Sequence, residues 1–387
     1  MRSPGRVRMA LAVAVVAVLV GDGIALVAHG RDPVDAEPVP AESSLARALP
    51  RLEAFVERTR GLRFKRRVQV ELLSADAFTD RLRDVEEPLD EEEAAADAES
   101  FEGFLRVLGL AVDDVDLGAV SDSIDEHGVL GFYDPAEGAL YVRGTALGPF
   151  EELILVHELT HALEDQHFGL DRAELDERDD ESSDSFLALA EGSAVVVEQR
   201  FLESLPPEER RIAEAGEDAA GQENADLPEV IDALFGYPYR AGPQFVAEVL
   251  AAGGQARLDA ALVEPPTTSE HILHPERFLA GEGPKPVGRP PADGRVADAG
   301  VLGERVLALV LSQDGRPSVG RRAAEGWGGD RYVLWTSGGR TCLRWNLVMD
   351  TASDTTELVA ALRAFTARNR GARVESTDPV VVLQHCA

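Results

Sequence analysis

The chain has 387 residues, 44% of them hydrophobic, which is enough for one large domain or two moderate domains that each bury a core. Asp and Glu number 70 against 38 Lys and Arg, so the formal net charge is −32 at pH 7. Because a surface this negative repels phosphate backbones and anionic lipid headgroups, the composition argues against nucleic acid as a partner.

The N-terminus has the pattern of an export signal. Several arginines precede an uncharged apolar run from Met9 to Gly21. This run is typical of a signal-peptide core and short for a membrane span, but the apolar IALVA that follows keeps a tilted signal-anchor open. We expect residues 1–28 to be a signal peptide or signal-anchor and residues 29–44 to be a linker. The protein is then extracytoplasmic, either secreted or held at the membrane through this segment alone.

The chain up to residue 170 is predicted to form helices and strands. Periodicity and turn residues predict, in order, a helix at 45–60, a strand at 64–74, a helix at 75–84, an acidic and weakly helical stretch at 84–100, and a helix at 101–109. The tract GFYDPAEGALYVRG at 131–144 places two aromatic-bearing segments around a turn, which predicts a β-hairpin. A helix follows from Pro149, a favoured first-turn residue, to a stop at Gly169.

This helix contains LVHELTHALEDQHFGL at 155–170, with two histidines four residues apart. Residues i and i+4 of an α-helix lie on one face, so His157 and His161 can bind a single ion. Glu158 lies about 100° around the helix, off the line of the ligands but within reach of a water at the metal. The spacing predicts a metal-dependent hydrolase with Glu158 as the base. The alternative is two surface histidines on an ordinary helix.

A catalytic zinc site needs a third protein ligand, and the next predicted helix, 183–204, offers one. Glu191 lies in the middle of the apolar stretch LALAEGSAVVVEQ at 187–199, where an unpaired carboxylate would be costly. Gly192 beside it has no side chain and would let two helices approach closely. Glu191 is therefore the predicted third ligand, with pairing to a core arginine as the alternative. Glu198, two turns further on, is a weaker candidate.

HELTHA followed by a downstream helical EG.A resembles the gluzincin type of zincin metallopeptidase, and the likeness extends over 131–199. The resemblance implies that His157, His161 and Glu191 bind Zn2+ and that Glu158 is the general base. It also implies that the edge strand of the hairpin pairs with an extended peptide substrate. The elements GY.Y..G..FV and PP.TSEHILHPE resemble uncharacterised exported bacterial zincins.

Zincins usually supply a Tyr, His or Arg that stabilises the oxyanion. Tyr239, Arg240, His271 and His274 lie in irregular tracts after the two predicted metal helices, and of these Tyr239 and His271 are the predicted catalytic residues. The alternative for each is a structural role in its loop. Asp165, one turn past the second motif histidine, could hold a ligand histidine's second ring nitrogen or could be a solvated charge at the helix end.

The remainder of the chain predicts an α+β arrangement. The elements are a solvated loop or lid at 208–228, two helical pieces at 230–254, a loop at 264–278, a Pro/Gly-rich boundary at 281–297, a helix at 301–312, strands at 330–336 and 340–350, a helix at 354–369, and a strand at 379–385. We therefore expect an α+β fold, with a zincin-like catalytic domain at 45–280 and a small C-terminal α+β module at 298–387.

The sequence has two cysteines, Cys342 and Cys386, and both fall in the C-terminal module. Thiols outside the cytoplasm oxidise, and a bridge to Cys342 would tie down a terminal strand that otherwise frays. We predict an intramolecular disulfide, with free buried thiols as the alternative. Their wide separation lacks the close ligand spacing of zinc sites.

The sequence as a whole predicts an exported zinc-dependent metallopeptidase that hydrolyses the bonds of a peptide or protein substrate. One alternative is a zincin scaffold that keeps zinc but serves as a non-catalytic extracytoplasmic binding module. Another is a structural exported protein without metal.

Overall fold

The computed structural model describes residues 16–17, 41–85, 91–110, 118, 120, 128–223, 227–313 and 317–387. Helices and strands are mixed along the chain, so the α+β prediction is confirmed. Of the predicted export segment and linker, only a short strand (β1, Val16–Ala17) and the start of the first helix are described, and the rest lies outside the described residues. Within these ranges, no helix is both long and apolar enough to cross a bilayer.

The first part of the chain forms helix α1 (Ala41–Arg60), β2 (Gln69–Leu73), helices α2 (Ala75–Val85) and α3 (Glu91–Val107), β3 (Val129–Asp134) and β4 (Ala139–Arg143). Together with β1, these strands form the first sheet, which as described has four strands in the order β1-β3-β4-β2. The predicted hairpin is the antiparallel pair β3 and β4. Its turn is stabilised because the Asp134 carboxylate accepts hydrogen bonds from the backbone amides of Ala136 and Glu137.

Helix α4 (Pro149–Phe168) carries the HELTHA motif, and local chemistry fixes both of its ends. The Gly148 N–H donates to the Glu151 carboxylate at 2.8 Å, while Pro149 occupies a first-turn position that needs no amide hydrogen. Gly169 follows the last turn with a φ of +69°, a left-handed value that glycine adopts without steric cost. The predicted start and end of this helix are confirmed.

Helices α5 (Ala173–Arg178) and α6 (Asp180–Ser204) follow, and α6 packs along α4. The start of α6 precedes the predicted one because the Asp179 side chain accepts a hydrogen bond from Ser182 N at 2.9 Å and caps the helix there. The pairing of α4 with α6 brings the HELTHA motif next to the EGSA segment.

The loop or lid predicted at 208–228 is wrong for most of its length. Helix α7 (Pro207–Glu223) occupies it and packs on α4 through small residues. Ala213 is buried, and a Cβ added to Gly216 would lie 2.4 Å from Phe150 Cγ. The prediction failed because alanine and glycine form this contact and contribute little to a hydrophobic pattern.

Helices α8 (Glu229–Phe235) and α9 (Tyr237–Val263) come next, and α9 crosses α6 at a contact between two glycines. A Cβ on Gly192 would lie 2.2 Å from the carbonyl carbon of Gly242, and one on Gly242 would lie 2.0 Å from Ala188 O. Any side chain at either position would push the helices apart. The predicted close approach at Gly192 is confirmed, and α9 is the helix that makes it.

The C-terminal module is built on a five-stranded antiparallel sheet in the order β5-β6-β7-β9-β8. From residue 269 the chain forms helices α10 (Ser269–Leu273) and α11 (Pro275–Ala280), β5 (Arg295–Gly300), α12 (Gly303–Leu311), α13 (Pro317–Ala324), β6 (Trp327–Ser337), β7 (Arg340–Met349), α14 (Ala352–Arg368), β8 (Arg373–Thr377) and β9 (Val380–Cys386). The loop predicted at 264–278 is therefore largely helical, because Thr268 caps α10 by accepting from His271 N and a proline starts α11.

The Pro/Gly-rich stretch at 281–297, predicted as a boundary, is hydrogen-bonded to strands of this sheet. Lys285 N donates to Gly328 O at 2.6 Å, and Asn346 Nδ2 donates to Gly288 O at 3.0 Å. The C-terminal sheet and its helices enclose an apolar core, and Leu105 of α3 packs into it. Apolar contacts thus join the C-terminal module to an element from the first hundred or so residues.

Cys342 and Cys386 lie directly opposite each other on β7 and β9 and form a disulfide, with Cα atoms 4.0 Å apart. The predicted pairing is confirmed. The bridge attaches the last strand of the chain to the middle of the sheet.

Replacing both cysteines by alanine should lower the free energy of unfolding. A bridge that closes 44 residues contributes about 4 kcal/mol in the chain-entropy model, because it restricts the unfolded chain. Urea unfolding of the double variant and of the reduced wild-type protein should give matching midpoints, both below that of the oxidised protein. Equal midpoints for oxidised and reduced protein would count against a stabilising bridge.

Gly192→Ala should destabilise the protein by about 1–3 kcal/mol, the usual cost of forcing atoms into a closed contact. The matched control is Gly283→Ala, because a Cβ there meets no atom within 4 Å. Chemical denaturation of the two variants checks this, and the control should unfold with the wild-type midpoint. If both variants unfold alike, the glycine contact does not hold α6 against α9.

Candidate metal centre

Two histidines of α4 and one glutamate of α6 converge at the interface of these helices. The possible ligand atoms of His157, His161 and Glu191 all lie within 4.8 Å of one another. Glu191 Oε2 is 3.1 Å from His157 Nε2 and 3.4 Å from His161 Nε2. All three residues are buried. We refer to them as the His-His-Glu cluster.

The cluster follows from the sequence in two steps. The four-residue spacing places His157 and His161 on one face of α4, with ring centroids 4.9 Å apart. The buried position of Glu191 in α6 then requires a partner for its carboxylate, and the two imidazoles supply it. The alternatives considered from sequence, surface histidines and a core arginine beside Glu191, are not what the structure contains at this site.

The charges of the cluster stabilise one another. Burial alone would raise the pKa of Glu191, but the charge of His161 and the hydrogen bond from His157 lower it to about 2. Burial alone would lower the pKa of His157, and its hydrogen bonds with Glu191 and Glu198 instead raise it well above the usual value. A metal ion bound at the cluster would displace the protons on the imidazoles.

Glu198 belongs to the outer sphere of the cluster. Its Oε2 lies 2.6 Å from His157 Nδ1, on the opposite side of the ring from Glu191. A carboxylate at the second ring nitrogen fixes the tautomer and the orientation of a ligating histidine. Glu198 is therefore placed to orient His157. From the sequence, Glu198 was only a weaker candidate than Glu191 for the third ligand.

The outer-sphere role considered for Asp165 is not what the structure contains. Asp165 Oδ2 accepts a hydrogen bond from Tyr133 OH at 3.0 Å and contacts Arg66 at 3.3 Å. Its Oδ1 accepts from Leu170 N at 3.1 Å and so supports the end of α4. His167, in the last turn of the same helix, contacts Arg63 O at 2.8 Å.

Glu158 is buried beside the cluster. Neither oxygen has a hydrogen-bond partner within the described part of the chain, and the same holds for His161 Nε2, whose contact with Glu191 is long. Burial raises the pKa of Glu158 to about 7, although both histidines act against it. Its side chain lies against β3, where a Cβ on Gly131 would stand 3.2 Å from Glu158 Cγ.

Among the residues considered as oxyanion stabilisers, three bind neighbouring segments of the chain. His271 donates from Nε2 to Glu282 O at 2.7 Å, and its Nδ1 lies 3.4 Å from Thr267 N. His274 Nε2 lies 3.0 Å from Glu304 Oε1. Arg240 similarly pairs with an aspartate of α8 at 3.0 Å.

Tyr239 has a different location. It lies in the first turn of α9, three residues before Gly242, the residue at which α9 crosses α6. Tyr239 is half-buried. Its position next to the helix that carries Glu191 is compatible with the predicted role.

Comparisons with known proteins are sparse. The family described as "Domain of unknown function (DUF8575)" matches residues 291–385, a range that overlaps the module predicted at 298–387. No curated protein matches the chain. A crystal structure described as "a putative hydrolase with a novel fold from Chloroflexus aurantiacus" aligns with a TM-score of 0.43 and 20% identity, over 64% of this chain and 92% of that chain. A similarity this distant carries no argument about fold or function.

Glu198→Ala should weaken metal binding by about 10–100-fold while the three predicted ligands remain, because His157 loses the carboxylate that orients it. Glu191→Ala removes a ligand and should weaken binding further. Zinc titration against a chromophoric chelator measures both effects. Glu203→Ala, at an exposed position of the same helix, is the control and should bind like the wild-type protein. Wild-type affinity in Glu198→Ala would remove Glu198 from the site.

Proposed function

We propose that the protein is an exported zinc metallopeptidase that hydrolyses peptide bonds. The observation that carries the proposal is the convergence of His157, His161 and Glu191 beside Glu158, whose carboxylate has no hydrogen-bond partner among the described residues. Two imidazoles and one carboxylate are the protein ligands of a known class of catalytic zinc site.

The residues present fit a zinc ion. His161 Nε2 is buried without a hydrogen bond in the described ranges, which is costly unless something else binds it. His157 Nε2 and His161 Nε2 both face Glu191 Oε2, and His157 Nδ1 is held by Glu198. A bound zinc would polarise the substrate carbonyl and lower the pKa of a water molecule towards 7.

The proton transfers are assigned to Glu158. Its carboxylate oxygens have no competing partner among the described residues, so either can accept a proton from the attacking water. The same carboxyl group can then deliver that proton to the amine that leaves. Gly131 of β3 lies beside this carboxylate, since a Cβ there would stand 3.4 Å from Glu158 Oε1.

The sheet next to Glu158 supports a peptide as the substrate. Strand β3 passes directly against Glu158 at Gly131, and Val16 pairs with Gly131 in an antiparallel ladder. The backbone groups of β3 at this position therefore pair with extended chain, and a peptide substrate would take the place of β1 there. We assign Tyr239 as the candidate oxyanion donor and set His271 aside, because both ring nitrogens of His271 face backbone atoms.

The disulfide supports the extracytoplasmic location. Disulfides persist in oxidising compartments and are rare in the cytosol. Together with the apolar N-terminal run, the Cys342–Cys386 bridge favours a protein that is secreted or held at the membrane by its N-terminal segment.

Glu158→Gln should retain zinc and the fold but lose hydrolysis by a factor of about 100–10,000, because only the proton acceptor is changed. A peptide-library cleavage assay, with zinc content measured on the same preparation, checks this. Glu152→Gln is the control, since Glu152 is on the same helix but pairs with Arg51. Chelation should abolish the wild-type activity and zinc should restore it.

Cleavage by Glu158→Gln at a rate comparable to the wild-type rate would rule out this mechanism. A wild-type protein that binds zinc but cleaves nothing in the library would favour the non-catalytic alternative.

A further inference from the structure

A second buried polar group lies one turn beyond the His-His-Glu cluster. Glu164, three residues after His161, is 0% exposed, and its Oε1 accepts a hydrogen bond from Arg60 Nε at 2.6 Å. Ser193 Oγ donates to the same oxygen at 2.5 Å, and Ser193 is two residues after Glu191. The network therefore joins α4 to α6 close to the ligands on both helices.

Arg60 extends the network to two more helices. It is the last residue of α1, is 1% exposed, and contacts Asp259 Oδ1 on α9 at 3.0 Å. Its other terminal nitrogen donates to Gln255 Oε1, and Gln255 Nε2 donates to Thr59 O at 2.9 Å. One guanidinium thus connects α1, α4 and α9, and through Glu164 it reaches α6.

The second half of α9 reaches Arg60 because the helix breaks in the middle. Gly253 and Gly254 have non-helical backbone angles, and Gly254 has a φ of +65° that glycine tolerates. The break separates the part of α9 that crosses α6 at Gly242 from the part that carries Gln255 and Asp259. The local conformation is thus adapted to the buried guanidinium.

Stability alone does not account for this network. A buried ion pair loses the solvation of both charges, and an apolar pair of similar volume is often as stable or more stable. What a buried, directional network supplies is a single relative position of the elements it joins. The network lies next to the segments of α4 and α6 that carry the His-His-Glu cluster. The position that it fixes is therefore that of the cluster residues.

The geometric tolerance of a metal site is small. Neighbouring residues along a helix are about 1.5 Å apart in rise, whereas zinc–ligand distances vary by only about 0.2 Å. A small slip of α6 along α4 would therefore carry Glu191 away from the two imidazoles. The hydrogen bond between Ser193 and Glu164 opposes such a slip directly.

We propose that Arg60, Glu164 and Ser193 are positioning residues that hold Glu191 in register with His157 and His161. The proposal rests on the metal site of the proposed function. None of the three belongs to the His-His-Glu cluster, so they act through its residues, and their loss lowers metal affinity more than it lowers the stability of the fold.

The test separates affinity from stability. Arg60→Met leaves the buried Glu164 carboxylate without its cationic partner, and Glu164→Met leaves the buried Arg60 with only Asp259 as its anionic partner. Both variants should therefore lower the melting temperature of the metal-free protein and weaken zinc binding. The double variant Arg60→Met/Glu164→Met removes both charges, and its melting temperature should return towards the wild-type value. Its dissociation constant for zinc, measured by chelator competition, should stay about 10–100-fold higher than wild type.

Ser193→Ala is the second variant, because it removes one hydroxyl group and no charge. It should keep a melting temperature close to wild type and bind zinc about tenfold more weakly, at the lower end of the outer-sphere range. Arg277→Met is the control: Arg277 pairs with Glu270 and Asp350, neither of which lies on α4 or α6. It should lower the melting temperature and leave zinc affinity unchanged.

Recovery of full zinc affinity in the double variant together with its stability would overturn the positioning role, as would wild-type affinity in Ser193→Ala. Equal weakening by Arg277→Met would also overturn it, because affinity would then follow global stability. A wild-type protein that binds no zinc would overturn the proposed function itself, which distinguishes that failure from the others.

Discussion

Glu191 is the residue on which the arrangement of the helices depends. Its carboxylate is 4% exposed, and a buried ion without partners costs several kcal/mol. The two imidazoles of α4 meet this requirement, so α6 must lie where Glu191 reaches both of them. Gly192 then leaves room for α9 to cross directly beside the cluster. Glu158, about 100° around α4 from His157, lies against the first sheet at Gly131.

Parts of the chain that are distant in sequence support this centre. Glu198 holds His157 from behind, and Arg60 links four helices through hydrogen bonds and ion pairs. The C-terminal module shares its apolar core with α3, and the stretch before it lies across its sheet. The module also contacts the helix that carries Glu191, because Arg305 of α12 pairs with Asp184 of α6.

The sequence alone predicts the features that depend on residues close to one another in the chain. The spacing of His157 and His161, the ends of α4 and the position of an acid in an apolar stretch at Glu191 all follow from helix geometry and the cost of burial. It was insufficient where a role depends on which helices meet. Glu198 orients His157 only because α6 runs along α4, and Arg60 meets Glu164 across 104 residues. Helix α7 was likewise missed, because its sequence is mostly polar and its contact with α4 is made by alanine and glycine.

The central claim is a zinc ion held by His157, His161 and Glu191. X-ray absorption at the zinc edge, together with metal analysis of the purified protein, tests it most directly. We predict one zinc per chain with two imidazole nitrogens and a carboxylate oxygen among its ligands, and no sulfur, since both cysteines are bridged to each other. A chain that retains no stoichiometric zinc under mild conditions, or a spectrum without histidine scattering, would contradict the claim.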